Sequence, residues 1–255
     1  MPARDETVQS LVRGLAVIRS FDAGHRRQTI TDVAARAGLT RAAARRFLLT
    51  LCEIGLARTD GKNYELTPAV LEIGQAYLAA ATELEVVQDE LRGLTLEFDE
   101  SASAAMLDGA DIIYVARSPA RHRIMTIGLG LGTRLPAHAT SMGQALLSML
   151  SPRELEAYFS LARLERQTDH TLTSRTALRR RLEEVRSLGY ALVSEELELG
   201  LRSIAVPVAG RSSRANIAIN MSAQTGRITA EEMIERFLPA LRRAVRHIGL
   251  AAEAR

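Results

Sequence analysis

Three arginines, Arg41, Arg45 and Arg46, follow Thr40 in a run otherwise made of alanine. Arg41 and Arg45 are four apart, so a helix would carry them on one face with Arg46 beside them. A guanidinium can bind phosphate, or take guanine O6 and N7 in a two-point contact. The free N–H groups and dipole at a helix start attract the same anion. Like charges on one exposed face repel each other unless an anion sits among them. Thr40, Arg41, Ala42, Arg45 and Arg46 are therefore candidate contacts to a nucleic acid. A solvated arginine face is the plain alternative, and the surrounding elements decide between the two.

Those elements read as follows. Val8, Leu11, Leu15, Ile18 and Phe21 recur at helical spacing, and Gly24 is expected to end that helix. Thr29, with Asp32 three residues on, reads as a variant capping box opening a short helix whose apolar face is Ile30, Val33, Ala34 and Ala37. Gly38 breaks the pattern, Thr40 caps the next helix, and Ala44, Phe47, Leu48 and Leu51 form its buried stripe up to Gly55. A short helix, a glycine turn and a second helix opening with Thr-Arg is a helix-turn-helix. Asp60-Gly61, between Leu56-Ala57-Arg58 and Tyr64-Glu65-Leu66, signals a hairpin wing. Arg58 and Lys62 on that wing are candidate phosphate contacts, which position a protein on DNA without reading sequence.

Charge is distributed to match. Residues 1–70 hold 11 Lys+Arg and 7 Asp+Glu, against 22 and 23 in the remainder. A basic head on a neutral body suits a polyanion partner. Cys52 is the only cysteine, so the chain alone can form neither a disulfide nor a cysteine zinc site. The polar start, Met1 to Glu6, lacks a signal core, and no apolar run approaches a membrane span, so we expect a cytoplasmic protein with no membrane partner.

From Ala69 to Phe98 the residues are strong helix formers, giving two helices or one kinked near Thr82. The first is expected to join two domains and to pair with a partner chain. Beyond it, strands are expected at Ala102–Leu107, Asp111–Arg117, Ile124–Ile127, Tyr190–Ser194, Ser203–Val208 and Ala215–Met221. Helices are expected at Met142–Leu150, Pro152–Phe159, Arg175–Leu188 and Ala230–Ile248. Hairpins plus helices imply an α+β body with a mostly antiparallel sheet.

Three stretches of the body resemble the effector domain of the IclR family of bacterial transcription regulators. They are Gly132-Thr133-Arg134-Leu135-Pro136-Ala137-His138-Ala139-Thr140-Ser141-Met142-Gly143-Gln144-Ala145, then Gly189-Tyr190 with Glu195-Glu196 and Gly200-Leu201-Arg202-Ser203-Ile204-Ala205-Val206-Pro207-Val208, and Ala218-Ile219-Asn220-Met221-Ser222. The head fits the same family. The resemblance implies a winged helix-turn-helix over 1–67, a linker helix over 68–82 and a GAF-like effector domain over 83–255. It further implies duplex operator DNA as a partner, homodimers, and dimers of dimers on DNA. Thr140-Ser141-Met142-Gly143 and Gly200-Leu201-Arg202-Ser203 resemble the branch that regulates aromatic-acid catabolism through protocatechuate or 4-hydroxybenzoate. Carried over by position, the effector pocket would be lined by Ser141, Met142, Val193, Ser203, Asn220 and Ser222.

Two positions depart from the family. A lysine usual after the glycine is Gln144, and an acidic pocket residue falls at Val193. Losing that carboxylate favours a carboxylate effector with an apolar ring over glyoxylate or pyruvate. Ser141 and Met142 open a helix whose N–H groups can hold a carboxylate, and Ser203, Asn220 and Ser222 can hydrogen-bond it or a ring hydroxyl.

Other groups read as structural. Arg134 is expected in a salt bridge rather than on the ligand, His138 in the core, His122 on a solvated loop, and Arg179-Arg180-Arg181 in a charge lattice with Glu183 and Glu184. Glu195 and Glu196 are expected to point apart on a strand. Ala139-Thr140-Ser141-Met142-Gly143 lacks the first glycine of a nucleophile elbow, the alternating Gly128, Gly130 and Gly132 lead to no phosphate-loop lysine, and no His/Glu set has metal-ligand spacing. We expect no catalysis, cofactor or metal.

Overall fold

The computed structural model describes residues 7–80, 83–120, 129–208 and 217–253. The chain divides into two compact units, Met1–Ala81 and Thr82–Arg255.

In the first unit, α1 (Gln9–Arg19), α2 (Ile30–Ala37) and α3 (Arg41–Glu53) precede a two-stranded antiparallel wing, β1 (Ala57–Thr59) and β2 (Tyr64–Leu66). Their core is Val17, Val33, Ala34, Ala44, Leu48, Leu51, Ala57 and Tyr64. The expected capping box is present, with Thr29 and Asp32 each bonded to the other's backbone. Gly38 ends α2 at φ 65°, a left-handed conformation that glycine adopts without strain. Helix α1 stops earlier than Gly24 suggested. Its C-cap is Ser20, whose hydroxyl donates to the Val17 carbonyl at 2.7 Å, while Gly24 sits in a turn and donates to Asp22 Oδ1. Tyr64 and Gln28 exchange backbone hydrogen bonds of 2.8 and 3.0 Å, tying the wing to the segment ahead of α2. A one-turn helix, Pro68–Val70, leads into α4 (Leu71–Ala80).

The second unit begins with α5 (Glu83–Phe98) and is built on one six-stranded, wholly antiparallel sheet of order β5-β4-β3-β8-β7-β6. Its strands are β3 (Ser101–Asp108), β4 (Asp111–Ser118), β5 (Arg134–Pro136), β6 (Ala191–Ser194), β7 (Leu201–Val208) and β8 (Ile217–Gln224). The helices are α6 (Ser141–Met149), α7 (Pro152–Leu161), α8 (Arg175–Leu188), α9 (Ala230–Glu232), a π-helical stretch Met233–Phe237, and α10 (Leu238–Glu253). β3 and β8 are each buried at five consecutive positions. Such runs require cover on both faces, and the sheet has it: α6 packs against β3, β7 and β8, while α5 and α10 pack together on the other side. β3 and β4 form a hairpin that turns at Gly109, which has φ 63°. β5 was not foreseen, and the strand expected at 124–127 and His122 lie outside the described residues.

Small residues let α6 sit close to the sheet. Ala105, Ala191, Ala205 and Ala218 share its core cluster with Met142, Ala145 and Leu146. The tightest approach is at the N-terminus of α6, where Gly143 lies against the backbone of the one-turn helix Ala137–Ala139.

Candidate functional site

Helix α3 presents Thr40, Arg41, Ala42, Arg45 and Arg46 to solvent. Thr40 Oγ1 accepts from the Ala43 N–H at 3.2 Å, fixing the helix start. Among the described residues, no carboxylate pairs with Arg41, Arg45 or Arg46. Two other arginines of this unit are already engaged: Arg27 pairs with Asp60 at 2.5 Å, and Arg36 pairs with Asp22. Arg58, a candidate phosphate contact, donates from Nε to Glu65 Oε1 at 2.6 Å. It remains largely exposed, so a phosphate could exchange for that partner. Lys62 is exposed at the wing tip. There Asp60 Oδ1 accepts from the Lys62 and Asn63 N–H groups, which with Asn63's side chain hold its carboxyl far below the usual carboxylate range.

In the second unit, the six residues singled out by position lie together. Val193, Ser203 and Ser222 are direct cross-strand neighbours on β6, β7 and β8, and Asn220 is two residues from Ser222 on the same face. Ser141 and Met142 come down from the start of α6 onto this face. With Tyr114, Ala139, Thr140, Glu195, Glu196, Leu197 and Leu201 they enclose one cavity. It is tight, with a cavity volume of about 20 Å³, room for about one water.

Its polar groups are incompletely bonded. Asn220 Nδ2 donates to Ser222 Oγ at 3.1 Å, but Asn220 Oδ1 is buried without a partner. Ser141 Oγ is also buried and unpartnered. Thr140 caps the Gly143 N–H through Oγ1 and the Gln144 N–H through its carbonyl, leaving Ser141 and Met142 with the uncapped N–H groups of α6. Unmet buried groups of this kind normally mark a water or ligand. Burial pushes the Tyr114 hydroxyl up to about 12, so it stays a neutral phenol.

Glu195 and Glu196 correct the sequence reading. They lie not on a strand but in the turn after β6, where Glu195 has φ 60° and its N–H donates to the Leu201 carbonyl at 2.7 Å. Both line the cavity. The Gly200 N–H donates to Glu195 Oε1 at 2.8 Å, and Thr168 and Thr171 hydroxyls donate to the Glu195 and Glu196 carbonyls. Glu196 is 4% exposed, and burial pushes its carboxyl up despite nearby Arg181 and Gln144.

The remaining residues fall where structural roles put them. Arg134 bridges Asp108 at 2.6 Å and Asp111 at 3.2 Å, away from the cavity. His138 is buried and bonded through Nε2 to the Glu165 carbonyl, and burial lowers its ring pKa. The Arg179–Arg181 lattice is only partly on its own helix. Arg180 faces Glu184, but Arg179 crosses to Glu156 on α7 and Arg181 reaches Glu196. Arg202 bonds Ser194 and the Ile228 carbonyl, away from the cavity. No group of three His, Cys, Asp or Glu among the described residues could hold a metal, and no helix among them is long and apolar enough to cross a membrane.

An arginine-faced helix-turn-helix joined to a second unit with an enclosed, partly unsatisfied cavity is the build of a ligand-responsive DNA-binding regulator. The chain belongs to the IclR family of bacterial transcription regulators: residues 10–61 match the IclR helix-turn-helix domain, and residues 75–250 match the bacterial transcriptional regulator IclR C-terminal. It is 41% identical to the Pca regulon regulatory protein of Pseudomonas putida, over 94% of this chain and 82% of that one. Among solved structures it resembles RHA06195 from Rhodococcus sp. RHA1, with TM-score 0.85 and 45% identity over 97% of this chain and 99% of that one. It also resembles the inducer-binding domain of the Acinetobacter transcription factor PobR, solved as a double mutant with 3-hydroxybenzoic acid. That match has TM-score 0.60 and 35% identity, covering 64% of this chain and 95% of that one.

Proposed function

We propose that this regulator controls aromatic-acid catabolism genes by binding a hydroxylated aromatic carboxylate in the cavity of its second unit. The carrying observation is that Ser141 Oγ and Asn220 Oδ1, both buried and unpartnered, line one cavity with the uncapped start of α6. The carboxylate takes the α6 N–H groups and Ser141, and Ser203, Asn220 and Ser222 complete its hydrogen bonds or take a ring hydroxyl. Met142, Val193, Leu197 and Leu201 supply the apolar walls. The relatives named for the Pca regulon and for a hydroxybenzoate complex support this effector class.

Residues 1–67 bind duplex operator DNA, with Arg41 and Arg45 entering the major groove and Arg46, Arg58 and Lys62 on phosphates. Residues 68–82 link this head to a GAF-like effector domain over 83–255, and the chain acts as a homodimer, or a dimer of dimers, and not as an enzyme. The effector favours one packing of that domain, and through the linker helix it shifts the spacing of the two heads against half-sites one turn apart.

The cavity's size favours a second reading, a small non-aromatic carboxylate such as glyoxylate or pyruvate. Either ligand requires the cavity to widen from about one water's volume, an aromatic ring more than a two- or three-carbon acid. A thermal-shift titration with protocatechuate, 4-hydroxybenzoate, β-ketoadipate, glyoxylate and pyruvate separates the readings. Ligand at one hundred times Kd stabilises the folded state by about 2.7 kcal/mol. A saturable rise with an aromatic acid supports the first reading, and a rise only with glyoxylate or pyruvate replaces it with the second.

A further inference from the structure

The cavity proposed for an anion is lined by two acidic residues and by no cationic one. Among its lining residues Glu195 and Glu196 are the acids, and none is Lys, Arg or His. Glu195 is partly exposed and its Oε1 is held by the Gly200 N–H. Glu196 is enclosed. Its Oε2 accepts from Gln144 Nε2 at 2.9 Å, and Gln144 is itself fully buried and neutral. Its Oε1 faces Arg181 Nη1 at 3.4 Å, but Arg181 is one-third exposed and also serves Glu184 at 3.6 Å. The other ionisable groups around it are His170, which lies 3.9 Å from Glu195 Oε2, and His138, one step away because Gln144 Nε2 also donates to the His138 carbonyl. Gln144 and Ser141 are three apart on α6, so the carboxylate that Gln144 holds lies on the side of the helix that carries the proposed effector donors.

Resting on the effector reading above, we infer that Glu196 takes up one proton when the effector binds, so that the site accepts its ligand as a carboxylate plus a proton. An ionised effector beside an ionised, enclosed Glu196 would be two like charges at low dielectric, with Arg181, already shared between Glu196 and Glu184, as the cation beside them. Protonation removes that repulsion and gives the site one more donor. Burial has already moved Glu196 part of the way. The effector raises its pKa further. Affinity is therefore full below the free-protein value, weakens between the free and bound values, and is level above both.

Isothermal titration calorimetry on the full-length protein tests this, using 4-hydroxybenzoate and the neutral 4-hydroxybenzamide from about pH 6 to about pH 8.5, in buffers of different ionisation heat. For the acid, we expect proton uptake between the free and bound values of Glu196, with a Kd there that rises by up to tenfold per pH unit; for the amide, neither. Glu196→Gln keeps the shape of the side chain and should bind the acid with a flat pH profile. Gln144→Lys should do the same by giving Glu196 a buried cation. Binding of the acid without proton uptake, or an unchanged pH profile in Glu196→Gln, overturns this inference and leaves the effector reading intact. If none of the aromatic acids binds at any pH, both fall.

Discussion

Gly143 lies so close to Ala137 that a β-carbon built on it would stand 2.0 Å from the Ala137 carbonyl oxygen and 2.5 Å from its Cα. The neighbour is backbone, so no side chain can swing aside. This contact holds the start of α6 against the one-turn helix before it and thereby fixes the height of Ser141 and Met142 above the sheet. Gly143→Ala should cost about 1–3 kcal/mol or more, the range for overpacking a tight site. Urea unfolding measures it. The variant should also lose effector binding, because the α6 donors are displaced.

Ser141→Ala should behave in the opposite way. The hydroxyl is buried and unpartnered, so removing it relieves a desolvation cost and leaves the effector-free protein at least as stable. Effector affinity should nonetheless fall, by roughly 1 kcal/mol for a neutral hydrogen bond and more for one to a carboxylate. Thermal melts with and without 4-hydroxybenzoate separate the two effects. A loss of stability without ligand would show that Ser141 serves the fold instead.

On the head, Arg41→Ala and Arg45→Ala should each cost about 1–3 kcal/mol in operator binding and relax preference at one base pair. Lys62→Ala should weaken binding to all sequences alike and lower the salt slope by about one. Arg58→Ala should do less, because Arg58 already pairs with Glu65 and must give up that partner to reach phosphate. Fluorescence-anisotropy titrations across salt concentrations read all four.

Local chemistry was the legible part. The Thr29–Asp32 capping box, the Thr40 cap and the Asp60-Gly61 turn are each written within a few residues, and each forms as read. The Arg58–Glu65 pair was also within reach, since the wing's register sets these opposite charges face to face across two strands. The cavity was not legible from periodicity. Val193, Ser203, Asn220 and Ser222 come from three strands whose adjacency depends on the whole sheet, and their grouping came from the family's wording. Glu195 and Glu196 escaped because residues 195–200 form a turn set by a non-glycine at φ 60° and by distant Thr168 and Thr171 hydroxyls. No local pattern announces such a turn.

Thr40→Ala tests how far the arginine face depends on its cap. Losing the bond to the Ala43 N–H should destabilise the first unit by about 1 kcal/mol. Operator affinity should drop with it, because the start of α3 frays where Arg41 and Arg45 are presented. Thr40→Ser, which keeps the oxygen, should restore both in the same unfolding and binding measurements.

The most direct measurement is operator affinity of the purified protein with and without saturating 4-hydroxybenzoate or protocatechuate, at one salt concentration. Effector and DNA sites coupled through the linker helix should show a Kd change of about 5–150-fold, the span of typical coupling energies of 1–3 kcal/mol. By reciprocity, operator DNA should change the effector's affinity by the same factor. An unchanged operator Kd at an effector concentration that saturates the cavity would contradict the account.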